Sequence, residues 1–170
     1  SGVVFFALPA LASAATLSLS PSSGTFNVND ILTLQVLLDT KGASADGVGI
    51  TYLNFNPSLL QVQDDNPSVA GVQIARGTLF PSTSSNSADN VTGKIQFSQV
   101  SFDPSGGPPR PFNGTGVLAT IRLKALAPTQ FANALVTFDF TPGSTLDTNV
   151  TAGGGDILAS VTNGSYTIQE

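Results

Sequence analysis

The side chains able to do chemistry in this chain of 170 residues are few, and almost all of them offer oxygen. The chain has no His, Cys or Trp, and its only Glu is Glu170. Without imidazole or thiol the common nucleophile–base pairs cannot be assembled. Glycoside hydrolysis needs two carboxylates at a defined separation, and here the acids are scattered. The chain is therefore read as no enzyme, with no catalytic residue and no cofactor. Oxygen ligation remains. Asp64-Asp65-Asn66 forms one group, and Asp147, Asn149 and Asp156 around Gly153-Gly154-Gly155 form another. Ca²⁺ takes clustered carboxylates and carbonyls, but neither spacing fits an EF-hand loop. A solvated turn and a flexible Gly-rich loop are the plainer expectations. Asn90, Asn113, Asn149 and Asn163 each stand in an Asn-x-Ser/Thr sequon, a chemical acceptor for an N-linked glycan.

Aromatic rings are the other functional currency, because sugar-binding sandwiches present stacking aromatics. Tyr52 and Tyr166 fall on alternating stripes and are expected inside. Phe26, Phe97, Phe138 and Phe140 read as core packing. Phe80, Phe102, Phe112 and Phe131 lie near loops and are expected to plug the ends of the fold.

The elements that must position these residues follow a period of two rather than 3.6. Leu17 and Leu19 alternate with serines. Leu32, Leu34, Val36 and Leu38 form the next stripe, then Val48, Ile50 and Tyr52. Further stripes run through Ile95 and Phe97, Val117 to Ala125, Val136 to Phe140, and Tyr166 with Ile168. Short alternating runs separated by Gly, Pro, Asn and Asp read as an all-β sandwich. Ser20 to Gly24 separates the first two runs, and Asn27 to Asp30 opens the second. The Pro- and Gly-rich stretch Asp103 to Pro111 is expected as an exposed loop. Thr141 to Asp156 is expected as another irregular excursion. Ser82 to Asp89 is polar and of low complexity.

Charged residues make up 10% of the chain, against roughly 25% in ordinary soluble domains. Ser, Thr, Asn and Gly carry the solubility instead, which points to a secreted or cell-surface protein. The net charge is −5, and the six basic residues form no stripe, which disfavours nucleic acid. Residues 1–15 are an apolar arm, and residues 16–170 are the sandwich. In the arm, Ala12-Ser13-Ala14 fits the small-x-small pattern read by signal peptidase, with Ala15 as the mature start. The arm is too short for a stable membrane span, and Pro9 sits in its middle. Two readings follow. Residues 1–14 are a residual signal peptide, or the arm is retained and joins subunits through Val3, Val4, Phe5, Phe6, Leu8 and Leu11.

The ordered motifs from Leu17 to Ile168 resemble a cohesin domain. Gly24-Thr25-Phe26-Asn27-Val28-Asn29-Asp30 is similar to that family's opening G-x-F-x-V-G-D, with Asn29 in place of Gly. Phe55-Asn56-Pro57-Ser58-Leu59-Leu60-Gln61-Val62 resembles its Y-D-P-x-L-L-x-V box, although Phe55-Asn56 lacks the hydroxyl and the charge of Tyr-Asp. Gly93 to Ser98 resembles G-x-I-x-F-x, and Gly164 to Ile168 resembles the closing G-S-V-T-I. Gly116-Val117-Leu118-Ala119-Thr120-Ile121-Arg122-Leu123-Lys124-Ala125 resembles G-x-L-A-T-I-x-F-K-A, the most specific piece. The resemblance implies a jelly-roll β-sandwich of about nine strands, no catalysis, and association with a protein. The expected function is an extracellular protein–protein association module. Its first form is a self-assembling surface or filament subunit whose arm binds copies of itself. The alternative is a secreted module for a dockerin-like partner or a polysaccharide.

Overall fold

The computed structural model describes residues 14–170. Every regular element among them is a strand. In chain order these are β1 (Ala15–Ser20), β2 (Ser23–Asn27), β3 (Ile31–Asp39), β4 (Gly47–Phe55), β5 (Leu60–Val62), β6 (Ala75–Arg76) and β7 (Ser82–Asp89). They continue as β8 (Lys94–Val100), β9 (Thr115–Ala125), β10 (Ala134–Phe138), β11 (Asn149–Ala152), β12 (Gly155–Asp156), β13 (Leu158–Thr162) and β14 (Gly164–Gln169). The expected runs supply the long strands except β7, and two-residue segments such as β6 and β12 raise the number. Two sheets face each other. Sheet A has the order β13-β1-β3-β9-β5, with β6 also on β9. In sheet B, β4 lies between β8 on one side and β10 and β11 on the other; β7 extends β8, and β14 and β2 extend β10.

The alternating stripes become the core, because period-two side chains share one face of a strand. Leu32, Leu34 and Val36 on β3 lie opposite Leu123, Ile121 and Ala119 on β9, all fully buried. Ile50, Leu53 and Phe55 of β4 face them from sheet B together with Ile95, Phe97, Val136, Tyr166 and Ile168.

The first and last runs change sheets together. β1 pairs in parallel with β13 in sheet A, and β2 pairs in parallel with β14 in sheet B. The switches lie at Pro21-Ser22 and at Asn163. Tyr166 binds them by donating its hydroxyl to the Pro21 carbonyl at 2.7 Å, and its ring meets Phe26 edge-on with centroids 6.1 Å apart. Burial pushes the Tyr166 phenol up to about 12. Gly164 is required here, since a Cβ would collide with the Tyr166 ring.

Two stretches differ from expectation. Ser82 to Asp89 is the edge strand β7, a role its polar composition hides because neither face of it is packed like a core strand. Thr141 to Asp156 is not irregular throughout. It contains β11, which pairs with β4, and the β11–β12 hairpin turning at Gly153-Gly154. The loop Asp103 to Pro111 is exposed as expected, but it is pinned: Asp103 Oδ2 accepts from Arg110 Nη2 at 2.9 Å, and Oδ1 accepts from the Ser105 N–H and hydroxyl.

The open side between β7 and the β5–β6 segment is closed by two asparagines acting as strand surrogates. The Asn90 Oδ1 accepts from the Val62 N–H at 2.8 Å while its Nδ2 donates to the Val62 carbonyl at 3.0 Å. Asn86 makes the same paired contact with Ile74, at 3.0 and 2.8 Å. Between them the Ala88 N–H donates to the Val72 carbonyl. Asn90→Ala leaves both Val62 groups without partners, so we expect a loss of about 1–3 kcal/mol, read in urea denaturation. Asn90→Asp, which keeps only the acceptor, is expected to lose part of the Val62 pairing.

Candidate recognition face

The outer face of sheet B is built in rows across β7, β8, β4 and β10. Register places Asp89 opposite Lys94, Lys94 opposite Asn54, and Asn54 opposite Thr137. The next row pairs Ser87 with Gln96, and the one beyond pairs Ser85 with Ser98. Tyr52 joins this face against the expectation that it would be buried. The register between β4 and β8 shifts between Ile50 and Leu53, so two residues of β4 oppose one of β8. Such a bulge reverses which face the following side chains occupy. Ile50 and Leu53 are consequently both inside, and Tyr52 is half-exposed.

Of the charges on this face Lys94 and Asp89 are occupied locally, and Asp139, whose N–H donates to the Tyr52 carbonyl just past β10, is exposed. The Lys94 ammonium stands 4.2 Å from the Tyr52 ring centroid, a cation–π contact. Asp89 caps the β7–β8 turn: Oδ1 accepts from the N–H groups of Val91 and Thr92, and Oδ2 accepts from the Thr92 hydroxyl at 2.7 Å. The Thr92 hydroxyl, then the Val91 and Thr92 amides, hold the Asp89 carboxyl below its ordinary value of 3.8. Gly93 completes the turn at φ 71°, where a Cβ would strike the Phe55 carbonyl.

Two open concavities lie along this face. One, of about 270 Å³, is lined by Tyr52, Ser87, Asp89, Thr92, Lys94 and Gln96. The other, of about 350 Å³, has an apolar floor of Phe55, Leu59 and Leu135 beneath Asn54, Asn56, Asn133 and Thr137. Of the exposed large apolar side chains described, Leu135 lines the second concavity, and the others stand in loops, in turns or at strand ends. Leu135 projects from β10 at 52% exposure, Phe131 precedes that strand at 99%, and Leu146 follows it at 91%. Val91 sits in the β7–β8 turn and Phe102 just beyond β8, both exposed. Sheet A presents Thr33, Gln35, Gln61 and Arg122 outward instead. Its large exposed apolar residues, Ile31 and Leu126, are only 37% accessible.

Other residues singled out in the sequence do not converge. Asp64 Oδ1 accepts from the Asn66 and Gln73 amides, and Asp65 is exposed. Asp147 is buried, with Oδ2 accepting from the Thr141 N–H, and Asp156 Oδ1 accepts from the Val150 and Leu158 amides. Among the described residues no three acids come together as a metal site. The four carboxylates instead turn the backbone or face solvent. The loop phenylalanines divide. Phe80 is buried against Phe112 with centroids 6.1 Å apart, whereas Phe102 and Phe131 do not plug the ends and stand in solvent, because their loops run outside the sheets. The arm residues Val3, Val4, Phe5, Phe6, Leu8 and Leu11 lie outside the described residues. No helix among the described residues is long and apolar enough to cross a membrane.

Leu135 and Asn54 escaped sequence reasoning. Leu135 carries a signal that could have found it: it is a large apolar residue out of phase with the inward stripe Val136 and Phe138.

No family model and no curated sequence matches this chain. Solved structures do match, cohesins among them. CaCohA2 from Clostridium acetobutylicum has 18% identity over 93% of this chain and 92% of that chain, with TM-score 0.65. The cohesin of a type I cohesin–dockerin complex from Clostridium thermocellum has 14% identity over 97% and 99%, with TM-score 0.64. A non-cellulosomal cohesin from the hyperthermophilic archaeon Archaeoglobus fulgidus has 14% identity over 92% and 91%, with TM-score 0.60. At these identities the likeness establishes the fold: the domain is a cohesin-like β-sandwich.

The Asp89 turn has a defined acid response. Its folded carboxyl titrates below 3.8, so its contribution is fully present above that value and is lost as the pH falls through the lower folded value. In a carboxyl NMR titration Asp89 should therefore show a midpoint below its ordinary value of 3.8, and Thr92→Ala should raise it. Asp89→Asn should lower stability at neutral pH and leave it less dependent on pH below 4, a cut roughly at the ordinary aspartate pKa.

Proposed function

We propose that this cohesin-fold domain is a non-catalytic, extracellular recognition module that receives a dockerin-type protein partner on the outer face of sheet B. The observation that carries the reading is Leu135, a large apolar side chain 52% exposed, which lines an open concavity together with Asn54, Asn56, Asn133 and Thr137 on this face. Large apolar side chains gathered in solvent around a polar face mark interaction sites on soluble domains. Solved cohesins of the same fold occur in complexes with dockerins, which favours a protein partner over a polysaccharide. The absence of His and Cys from the chain supports a binding role over a catalytic one. A filament built through residues 1–15 finds no comparable support.

Binding assays of the domain against dockerin-type modules encoded in the same genome test this. At least one module should bind, and Leu135→Asp should weaken it tenfold or more, the scale of a central interface anchor at about 1.4 kcal/mol. Arg122→Glu on sheet A should leave the affinity unchanged. Because Asp89 and Lys94 are satisfied within the domain, the affinity should change little with salt. Failure of every module to bind, with retention of the domain on an insoluble polysaccharide, would move the reading to carbohydrate.

A further inference from the structure

We infer that Asn113 is a glycan acceptor and that Asn90, in an equally good sequon, is not. The two asparagines use their amides differently. Asn90 grips both the N–H and the carbonyl of Val62. A primary amide can pair in this cyclic way only through the hydrogen on the same side as its own oxygen. An N-linked sugar makes the amide secondary, and the trans preference of secondary amides places the sugar carbon at that same position. A glycan on Asn90 would therefore displace the contact that closes the β7 side of the sandwich. It would also project from the β7–β8 turn, beside the concavity lined by Asp89, Thr92 and Lys94.

Asn113 is under neither restriction. It is exposed, and its side-chain Nδ2 donates a single hydrogen bond, to the exposed Gly42 carbonyl at 2.9 Å. A glycosylated amide keeps one N–H, and even without this exposed contact no strand pairing is left open. The backbone beneath it is rigid: the Thr40 N–H donates to the Gly114 carbonyl, and the Gly114 N–H donates to the Thr40 hydroxyl, both at 3.0 Å. Thr115, the hydroxyl residue of the sequon, is also exposed. None of Thr40, Gly42, Asn113 or Thr115 lines either concavity of the recognition face. The remaining sequons are tied into the sheets, although Asn163 is exposed. Asn149 is half-buried, its Nδ2 donates to the Asp147 carbonyl, and its Oδ1 packs over Gly49. Asn163 sits at the sheet switch with its Oδ1 fixed by the Phe138 N–H.

The transfer would use a polyprenyl-phosphate-linked oligosaccharide as donor. A bond forms between the sugar C1 and Asn113 Nδ2, and the bond between C1 and the phosphate oxygen breaks. The lipid phosphate leaves, and the amide proton passes to the transferase or the leaving phosphate.

The test is secretion of the domain from a glycosylating eukaryotic host, followed by enzymatic deglycosylation in heavy-oxygen water and peptide mapping. The expected result is heavy-oxygen aspartate at position 113 and unmodified Asn90 in the folded, secreted protein. Asn113→Gln and Thr115→Ala should each remove the mobility shift, and Thr115→Ser should restore it. An occupied Asn90 in folded protein, or an empty Asn113 beside any other occupied sequon, would overturn the assignment. So would a wholly unmodified domain from a host that glycosylates a control protein.

Discussion

The parallel pairing of the first and last runs of the chain is the constraint on which the rest of this sandwich depends. β1 and β13 travel together in sheet A and then cross together to become β2 and β14 in sheet B. Two strands that switch sheets in step hold the sheets in one relative register. The corner is not held by hydrophobic burial alone, because the Pro21 carbonyl there meets the core and needs a donor. Tyr166 supplies an apolar ring for the core and a hydroxyl for the Pro21 carbonyl, which is the division of labour expected of a buried tyrosine. The bare Gly164 makes room for that ring.

On the opposite side the fold meets the converse problem, an open edge. A polar edge strand such as β7 has unpaired backbone groups that invite association. Here Asn86 and Asn90 satisfy the backbone of Ile74 and Val62 through their side-chain amides. That arrangement ties the short β5–β6 segment of sheet A to the edge of sheet B without a continuous ladder. The outer face of sheet B is thereby held at both ends, by the Tyr166 corner and by the asparagine seam. It can expose Leu135 and Phe131 without losing its shape. Lys94 and Asp89 are turned to local work, on the Tyr52 ring and in the β7–β8 turn, which leaves apolar surface and uncharged hydrogen-bonding groups over most of the face.

Much of this architecture was legible in the sequence. Strand alternation writes burial directly into the residue order, so the stripes of β3, β4, β8, β9 and β14 and the breaks between them could be read off. The ordered motifs also indicated the cohesin-like sandwich. β7 was not legible, because an edge strand with neither face buried leaves no hydrophobic period. Tyr52 was assigned to the wrong face because the bulge before Leu53 depends on pairing with β8, and one extra residue reverses every later assignment. The β11–β12 hairpin was hidden by its glycines, which permit a turn but do not announce the strands on either side.

The sequence by itself determined the fold class, most of the core and the absence of imidazole and thiol, since each follows from residue type and local period. Tertiary structure alone decided which polar residues act and where. Asn90 became a structural bridge and Asn113 an exposed amide with one hydrogen bond, although both stand in sequons. Asp89 became a turn cap, and Leu135 an apolar side chain in solvent. Those roles depend on which residues face one another across strands far apart in the chain, and an interaction between distant partners leaves no trace in the spacing of either one.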